Sequence, residues 1–232
     1  MTVDHTAHLA QNAAAVVAVL RTTDLSSPVP GCPGWVLRDL AGHLGGVHRW
    51  ATAVVRTRER GGRQSATPPP DDELAGWLAQ GAADLVAVLD DPDRPCWTFN
   101  GNGTAAFWAR RQALETVVHR VDAQRAAGLP HPVDPDLAED GIAEVLEVLL
   151  PRQVAYGRTA APTTGAALVT GTRRHLGAQP ATVVVAGPAE AVLLLLWGRT
   201  AASDPRLTVT GDAAALDAVL GLALTPLGRI SP

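Results

Sequence analysis

The segment from Arg110 to Asp122 constrains this chain more than any other stretch. It reads as helix, and Leu114, Val117, Val118 and Val121 make it apolar around most of its circumference, so it belongs in an interior. Yet Glu115 and His119 lie within it, and positions i and i+4 share one helical face. A buried charge persists only when it is paired or ligates a metal. Two arrangements satisfy that rule here. One is a hydrogen-bonded Glu–His or Glu–Arg pair, and the other is a carboxylate and an imidazole sharing an ion. The upstream run Asp39-Leu40-Ala41-Gly42-His43-Leu44 offers a third ligand from a different helix. A set of His43, Glu115 and His119 leaves one position open, which is the ligand pattern of catalytic rather than structural zinc.

The rest of the sequence describes where such a helix is housed. Asp4–Arg21, Trp35–Arg58, Asp71–Leu89 and Thr104–Ala127 carry helical periodicity. Pro28 to Gly34, then Gly61-Gly62 with Pro68-Pro69-Pro70, and a Pro-, Gly- and Asn-rich stretch from Asp90 to Gly103 separate them. Four long helices with such connectors describe a bundle, whose core is a common host for metal sites. Asp136–Leu150 reads as a further helix, followed by Pro151. The texture then changes. Ala166–Thr170, Ala181–Ala186 and Leu207–Thr210 are strand-like, with apolar Pro188–Trp197 between the last two and a final helix over Asp212–Leu222. The expected fold is an N-terminal four-helix bundle over residues 1–152, followed by a small α+β domain over 153–232.

Composition excludes several function classes. The net charge is −4, which leaves no basic footprint for nucleic acid, and the 19 basic residues are all arginine. No apolar run reaches the roughly 18 residues of a membrane span, and Met1-Thr2-Val3-Asp4-His5 lacks the features of a signal peptide. The expectation is a cytoplasmic protein, monomeric or weakly dimeric, acting on small molecules. Cys32 and Cys96 form no CxxC motif; Cys32 precedes the His43 helix and reads either as a thiol at the site's edge or as a small buried apolar residue.

The stretch Val29-Pro30-Gly31-Cys32-Pro33-Gly34-Trp35, continuing through Asp39 to His43, resembles the mycothiol-dependent maleylpyruvate isomerase family. So do Glu115-Thr116-Val117-Val118-His119-Arg120-Val121-Asp122, the segment from Asp140-Gly141-Ile142 to Pro151-Arg152, and the tail motif Leu195-Leu196-Trp197-Gly198-Arg199. That family belongs to the wider DinB-like superfamily of metal-binding four-helix bundles. The resemblance implies a DinB-like bundle with a second domain, a divalent metal held by His43, Glu115 and His119, and mycothiol as cofactor. It also implies an arginine of the C-terminal domain near the site, which we align with Arg199. One departure is visible: Val36 stands where the family has Thr or Ser, so a reciprocal capping box with Asp39 is missing and the helix start is expected to be less well fixed.

The chemistry implied is isomerisation of maleylpyruvate to fumarylpyruvate. A thiolate adds to an electron-poor double bond, the bond rotates, and elimination returns the trans alkene. With a leaving group on the electrophilic substrate, the same first step gives thiol S-transfer. Two rivals stand beside this reading: a hydrolase in which zinc activates water, and a non-enzymatic ligand-binding module. Neighbouring residues have two roles each. Asp39 orients His43 or adds favourable charge to its helix's first turn. Asp122, three residues after His119, has the same ambiguity. Arg199 pairs with a carboxylate of the thiol or substrate, or neutralises the carbonyls at a helix end. His48 stands about 140° round the helix from His43 and should not ligate the same ion. Trp35, Trp50 and Trp108 line a pocket or fill the core.

Overall fold

The computed structural model describes residues 3–60, 66–222 and 224; the connector residues Gly61 and Gly62 lie outside them. Four long helices form in the N-terminal part: α1 (His5–Thr22), α2 (Leu37–Thr57), α3 (Asp71–Val88) and α4 (Ala105–Ala126). Local chemistry directs where they start. The Asp4 carboxylate accepts the Ala7 N–H and caps α1. Val36 has no acceptor to offer α2, but half of the capping box survives, since Asp39 Oδ2 accepts the Val36 N–H at 2.9 Å. Asp71, Asp72 and Glu73 place negative charge in the first turn of α3.

Round the bundle the helices pack in the order α1–α3–α2–α4, so α4 touches α1 on one side and α2 on the other. Leu37, Leu40, Leu44, Leu74, Leu78, Val16 and Val17 form the core beneath this ring. Helices α2 and α3 come close at Gly45, where the Trp77 ring occupies the space of a side chain. Arg49 completes that contact: it lies 3.9 Å over the Trp77 ring and donates to the Trp77 carbonyl at 2.8 Å.

The stretch before α4, irregular by its sequence pattern, contains a hairpin of β1 (Pro95–Thr98) and β2 (Gly101–Thr104). Its turn needs Gly101 at φ +95°, and Gly103 lets the Thr98 side chain lie against the backbone. The hairpin carries Trp97 onto Trp108, whose indole N–H donates to the Trp97 carbonyl at 2.7 Å. Trp50, Phe99 and Phe107 join them in one aromatic cluster. Trp50 and Trp108 are therefore packing residues.

The chain divides into compact units at Met1–Pro132 and Val133–Pro232, rather than at 152/153. The helix expected to belong to the bundle, α5 (Pro135–Glu144), packs instead on α7 (Ala189–Leu196) of the second unit. Glu139 on α5 also binds the Gly171 N–H and the Thr172 hydroxyl of a turn in that unit. Pro151 does not end the helix. A π-helical turn over Val145–Leu149 leads into α6 (Leu150–Ala155), and this widened turn accommodates a ring that lacks an N–H for the preceding carbonyl.

A four-stranded sheet follows, made of β3 (Gly165–Val169), β4 (Arg173–Gly177), β5 (Val183–Ala186) and β6 (Thr208–Gly211) in the order β4-β3-β5-β6. The β3–β5 pair is parallel, and its neighbours on either side are antiparallel. Strand β4 was not expected from the sequence, because Arg173-Arg174-His175 carries none of the apolar alternation of an inner strand; it is an edge strand, where charge is usual. Helix α8 (Ala213–Leu220), capped by Asp212, packs on β3 and β5. Among the described residues no helix is long and apolar enough to cross a membrane.

The α2–α3 contact makes a paired prediction. A methyl at Gly45 would meet Trp77 ring carbons at 2.1–2.8 Å, whereas one at Gly46 meets nothing within 4 Å. Gly45→Ala should cost about 1–3 kcal/mol by overpacking, and Gly46→Ala should add about 0.5–1 kcal/mol through helix propensity. Denaturant unfolding of both variants checks this; shifts of the same sign would contradict the packing.

Candidate metal centre

Helices α2 and α4 bring His43, Glu115 and His119 together. Glu115 Oε1 lies 3.4 Å from His43 Nε2 and 3.5 Å from His119 Nε2. One ligand atom from each residue falls within 4.8 Å of the others. His119 is fully buried and Glu115 is 8% exposed, while His43 is slightly more open. The His43 and His119 rings meet edge to face with centroids 5.0 Å apart. Trp35, from the Cys-Pro-Gly-Trp turn, packs on both, 5.1 Å from His43 and 6.5 Å from His119. Trp35 is thus the tryptophan that walls this cluster.

The protonation of His119 is directed by what its other nitrogen touches. Nδ1 lies 3.1 Å from Asp122 Oδ2, so the ring donates there, and it is Nε2, facing Glu115 and His43, that would give up its proton to a bound ion. Cys32 Sγ donates to the same Asp122 oxygen at 3.5 Å. Asp122 is buried and sits one turn beyond His119 on α4. Its contact separates the two acidic neighbours: Asp122 orients His119, whereas Asp39 sits at the start of α2 on the Val36 N–H. The Cys32 thiol stands at the site's edge, behind Asp122. Cys32, His119 and Asp122 themselves form a second group of potential ligands, but their contacts read as a hydrogen-bonded chain ending on Nδ1.

Glu115 is held from its other side by Arg111, whose Nη2 donates to Oε2. Burial alone raises the Glu115 pKa, but the Arg111 charge and the nearby His119 and His43 rings outweigh it and hold the carboxyl well below its usual range. For His119, burial favours the neutral ring; Asp122, Cys32 and Glu115 overcome that and raise its pKa well above the usual value. His48 behaves differently. Burial pushes it down to about 3, against the pull of the Glu115 charge, and its Nε2 meets the Thr116 hydroxyl at 2.9 Å. It is a neutral core histidine bonded to Thr116 rather than joined to the cluster of His43, Glu115 and His119. Arg120 likewise points elsewhere, onto Asn12, Gln124 and the Pro132 carbonyl.

The donor set fits a divalent ion of zinc's type: two imidazoles and one carboxylate, with an open fourth position. His119 Nε2 is buried without a hydrogen-bond partner among the described residues, a costly state that a bound cation relieves. Arg111 is a site residue that the sequence did not single out, although its i,i+4 spacing to Glu115 was the available signal. Arg199 stands at the end of α7. There Gly198, at φ +67°, closes a Schellman turn, with the Arg199 N–H on the Leu194 carbonyl at 2.7 Å. Its guanidinium donates to the Trp197 carbonyl at 2.8 Å, a helix-end contact.

Residues 6–124 match the Mycothiol maleylpyruvate isomerase N-terminal domain. Residues 136–218 match the MDMPI C-terminal domain. The chain belongs to the mycothiol maleylpyruvate isomerase family. Two solved structures share its fold. A mycothiol-dependent maleylpyruvate isomerase superposes with TM-score 0.67 at 15% identity, covering 90% of this chain and 93% of that one. An alanine variant of a mycothiol-dependent maleylpyruvate isomerase gives TM-score 0.69 at 13% identity with the same coverage. No curated protein matches the sequence. The family confirms the fold expected from sequence, a helical bundle followed by a small α+β part.

Two outcomes follow for metal binding. His119→Ala should lose most of its bound metal with helical content nearly unchanged, and His48→Ala should keep a full equivalent; metal analysis with circular dichroism reads both. Full occupancy in the first variant would contradict the ligand set.

A further outcome concerns pH. Metal must displace the proton that Asp122 and Glu115 stabilise on His119, so apparent affinity should climb about tenfold per pH unit until the raised His119 pKa is passed. In the metal-free protein the sign reverses. The stabilisation from charged His119 is fully present below 6.5 and is lost as pH rises through the folded pKa. Metal titrations and melting curves across pH measure the two trends, and a flat affinity profile would contradict the proton competition.

Proposed function

We propose that this chain is a metal-dependent enzyme that works with a low-molecular-weight thiol, mycothiol, on an electrophilic small molecule. The reaction is cis–trans isomerisation of an alkene conjugated to carbonyl groups, as for maleylpyruvate. S-transfer is the outcome of the same chemistry when the substrate carries a leaving group. The observation that carries this reading is the convergence of His43, Glu115 and His119, with His119 Nε2 buried and making no hydrogen bond among the described residues. Family membership supports the thiol.

His43, Glu115 and His119 would hold the ion, most simply zinc. A divalent ion so held supplies Lewis acidity that keeps a coordinated thiol as its thiolate near neutral pH. The protein's own part is electrostatic and positional. Glu115 gives the ligand set one negative charge, and Arg111 pairs with its outer oxygen. His48 stays uncharged, so no further cation crowds the centre. Asp122 fixes the His119 tautomer through Nδ1. Trp35 covers the imidazoles and excludes water from one side, which strengthens each electrostatic contact.

The test is an assay of the purified chain with maleylpyruvate, with and without mycothiol, before and after metal removal. Turnover should require both, falling at least about a hundredfold when either is withheld, which is about 2.7 kcal/mol of transition-state stabilisation. Thiol-independent hydrolysis of added esters or amides, or ligand binding without turnover, would replace this reading with one of its rivals.

A further inference from the structure

The two oxygens of Glu115 face different partners. Oε1 lies between His43 Nε2 and His119 Nε2, at 3.4 and 3.5 Å. Oε2 accepts from Arg111 Nη2, one helical turn earlier on α4. The Arg111 side chain is only 4% exposed, so its hydrogen bond competes with little water. A carboxylate beside a metal can bind through one oxygen or through both, and the second mode occupies a further coordination position. A charge-assisted hydrogen bond to one oxygen opposes that second mode.

We propose that Arg111 is a positioning residue of the metal centre: it holds Oε2, so that Glu115 meets the ion through Oε1 alone and a coordination position stays open for thiol. This rests on the metal reading above. Two consequences follow from the same contact. First, the carboxylate cannot rotate toward a chelating pose without giving up a buried ion pair, and breaking such a pair is costly. Second, the guanidinium draws electron density from Glu115 and weakens it as a donor, which leaves the ion a stronger Lewis acid. Lysine in this place would keep the charge but not the planar fork.

Cobalt(II) is the probe, because its visible absorption is intense when four-coordinate and weaker when five-coordinate. The full-length wild-type chain should take up one cobalt and give the intense spectrum. In Arg111→Met the absorption should fall to the weaker five-coordinate level as Glu115 closes on the ion through both oxygens. Arg111→Lys should recover part of the lost intensity. An Arg111→Met spectrum identical to wild type, at full cobalt occupancy, would overturn the assignment and leave Arg111 a structural ion pair. Wild-type chain that takes up no cobalt would instead overturn the metal reading itself.

Should Arg111→Met not fold, the wild-type chain alone decides. Infrared difference spectra on zinc loading, with glutamate carboxyl carbons labelled, separate the two modes by the spacing of the carboxylate bands. A wide spacing supports one-oxygen binding, and a narrow spacing, the mark of chelation, overturns the proposal.

Discussion

Everything at this site depends on the buried negative charge of Glu115. Glu115 lies on a helix whose neighbours Leu114, Val117, Val118 and Val121 are all buried, and a lone carboxylate could not stay ionised there. It stays ionised because positive or polarisable groups close on it from both sides: Arg111 at Oε2, His43 and His119 at Oε1. Such an arrangement is poor material for stability alone, since apolar side chains of similar size commonly serve as well or better. Its value lies in presenting a charged oxygen and two imidazoles to one point.

The scaffold turns that point into a fixed geometry. His119 is oriented from behind by Asp122, and Asp122 in turn by the Cys32 thiol, so a loop cysteine takes part in setting an imidazole on α4. His43 arrives on α2, whose start is held by Asp39 and whose far flank is locked against α3 by Gly45, Trp77 and Arg49. The aromatic cluster around Trp108 packs α2, α4 and the hairpin of residues 95–104 together further along. The positions of His43, Glu115 and His119 are therefore consequences of helix packing, since all three stand on α2 and α4.

The bundle is legible in the sequence because each long helix carries its own period and its own breakers, and the clustering of Glu115 and His119 because an i,i+4 pair on an apolar helix asks for a partner. Arg111 is hidden for the opposite reason: an arginine four residues before a glutamate is ordinary on exposed helices, and only burial reveals that the pair faces inward. Cys32 can be read two ways until its contact with Asp122 is known. The edge strand Arg173–Gly177 and the hairpin strands lack the apolar alternation that marks inner strands. Residues 135–144 read correctly as helix, but nothing in a single helix's period tells which unit it packs on; that depends on α7. Arg199, aligned by motif with a site arginine, shows a local contact to its own helix end that no motif encodes.

Two groups of donor atoms share His119, one through Nε2 with Glu115 and His43, the other through Nδ1 with Asp122 and Cys32. We assign the ion to the first group, with the second as its support. X-ray absorption of the chain loaded with one equivalent of zinc separates them most directly. The expected first shell holds two imidazole nitrogens with oxygen and no sulfur, at distances of about 2.0–2.2 Å. A zinc–sulfur scatterer at about 2.3 Å in thiol-free buffer would place the ion on Cys32 and contradict that assignment.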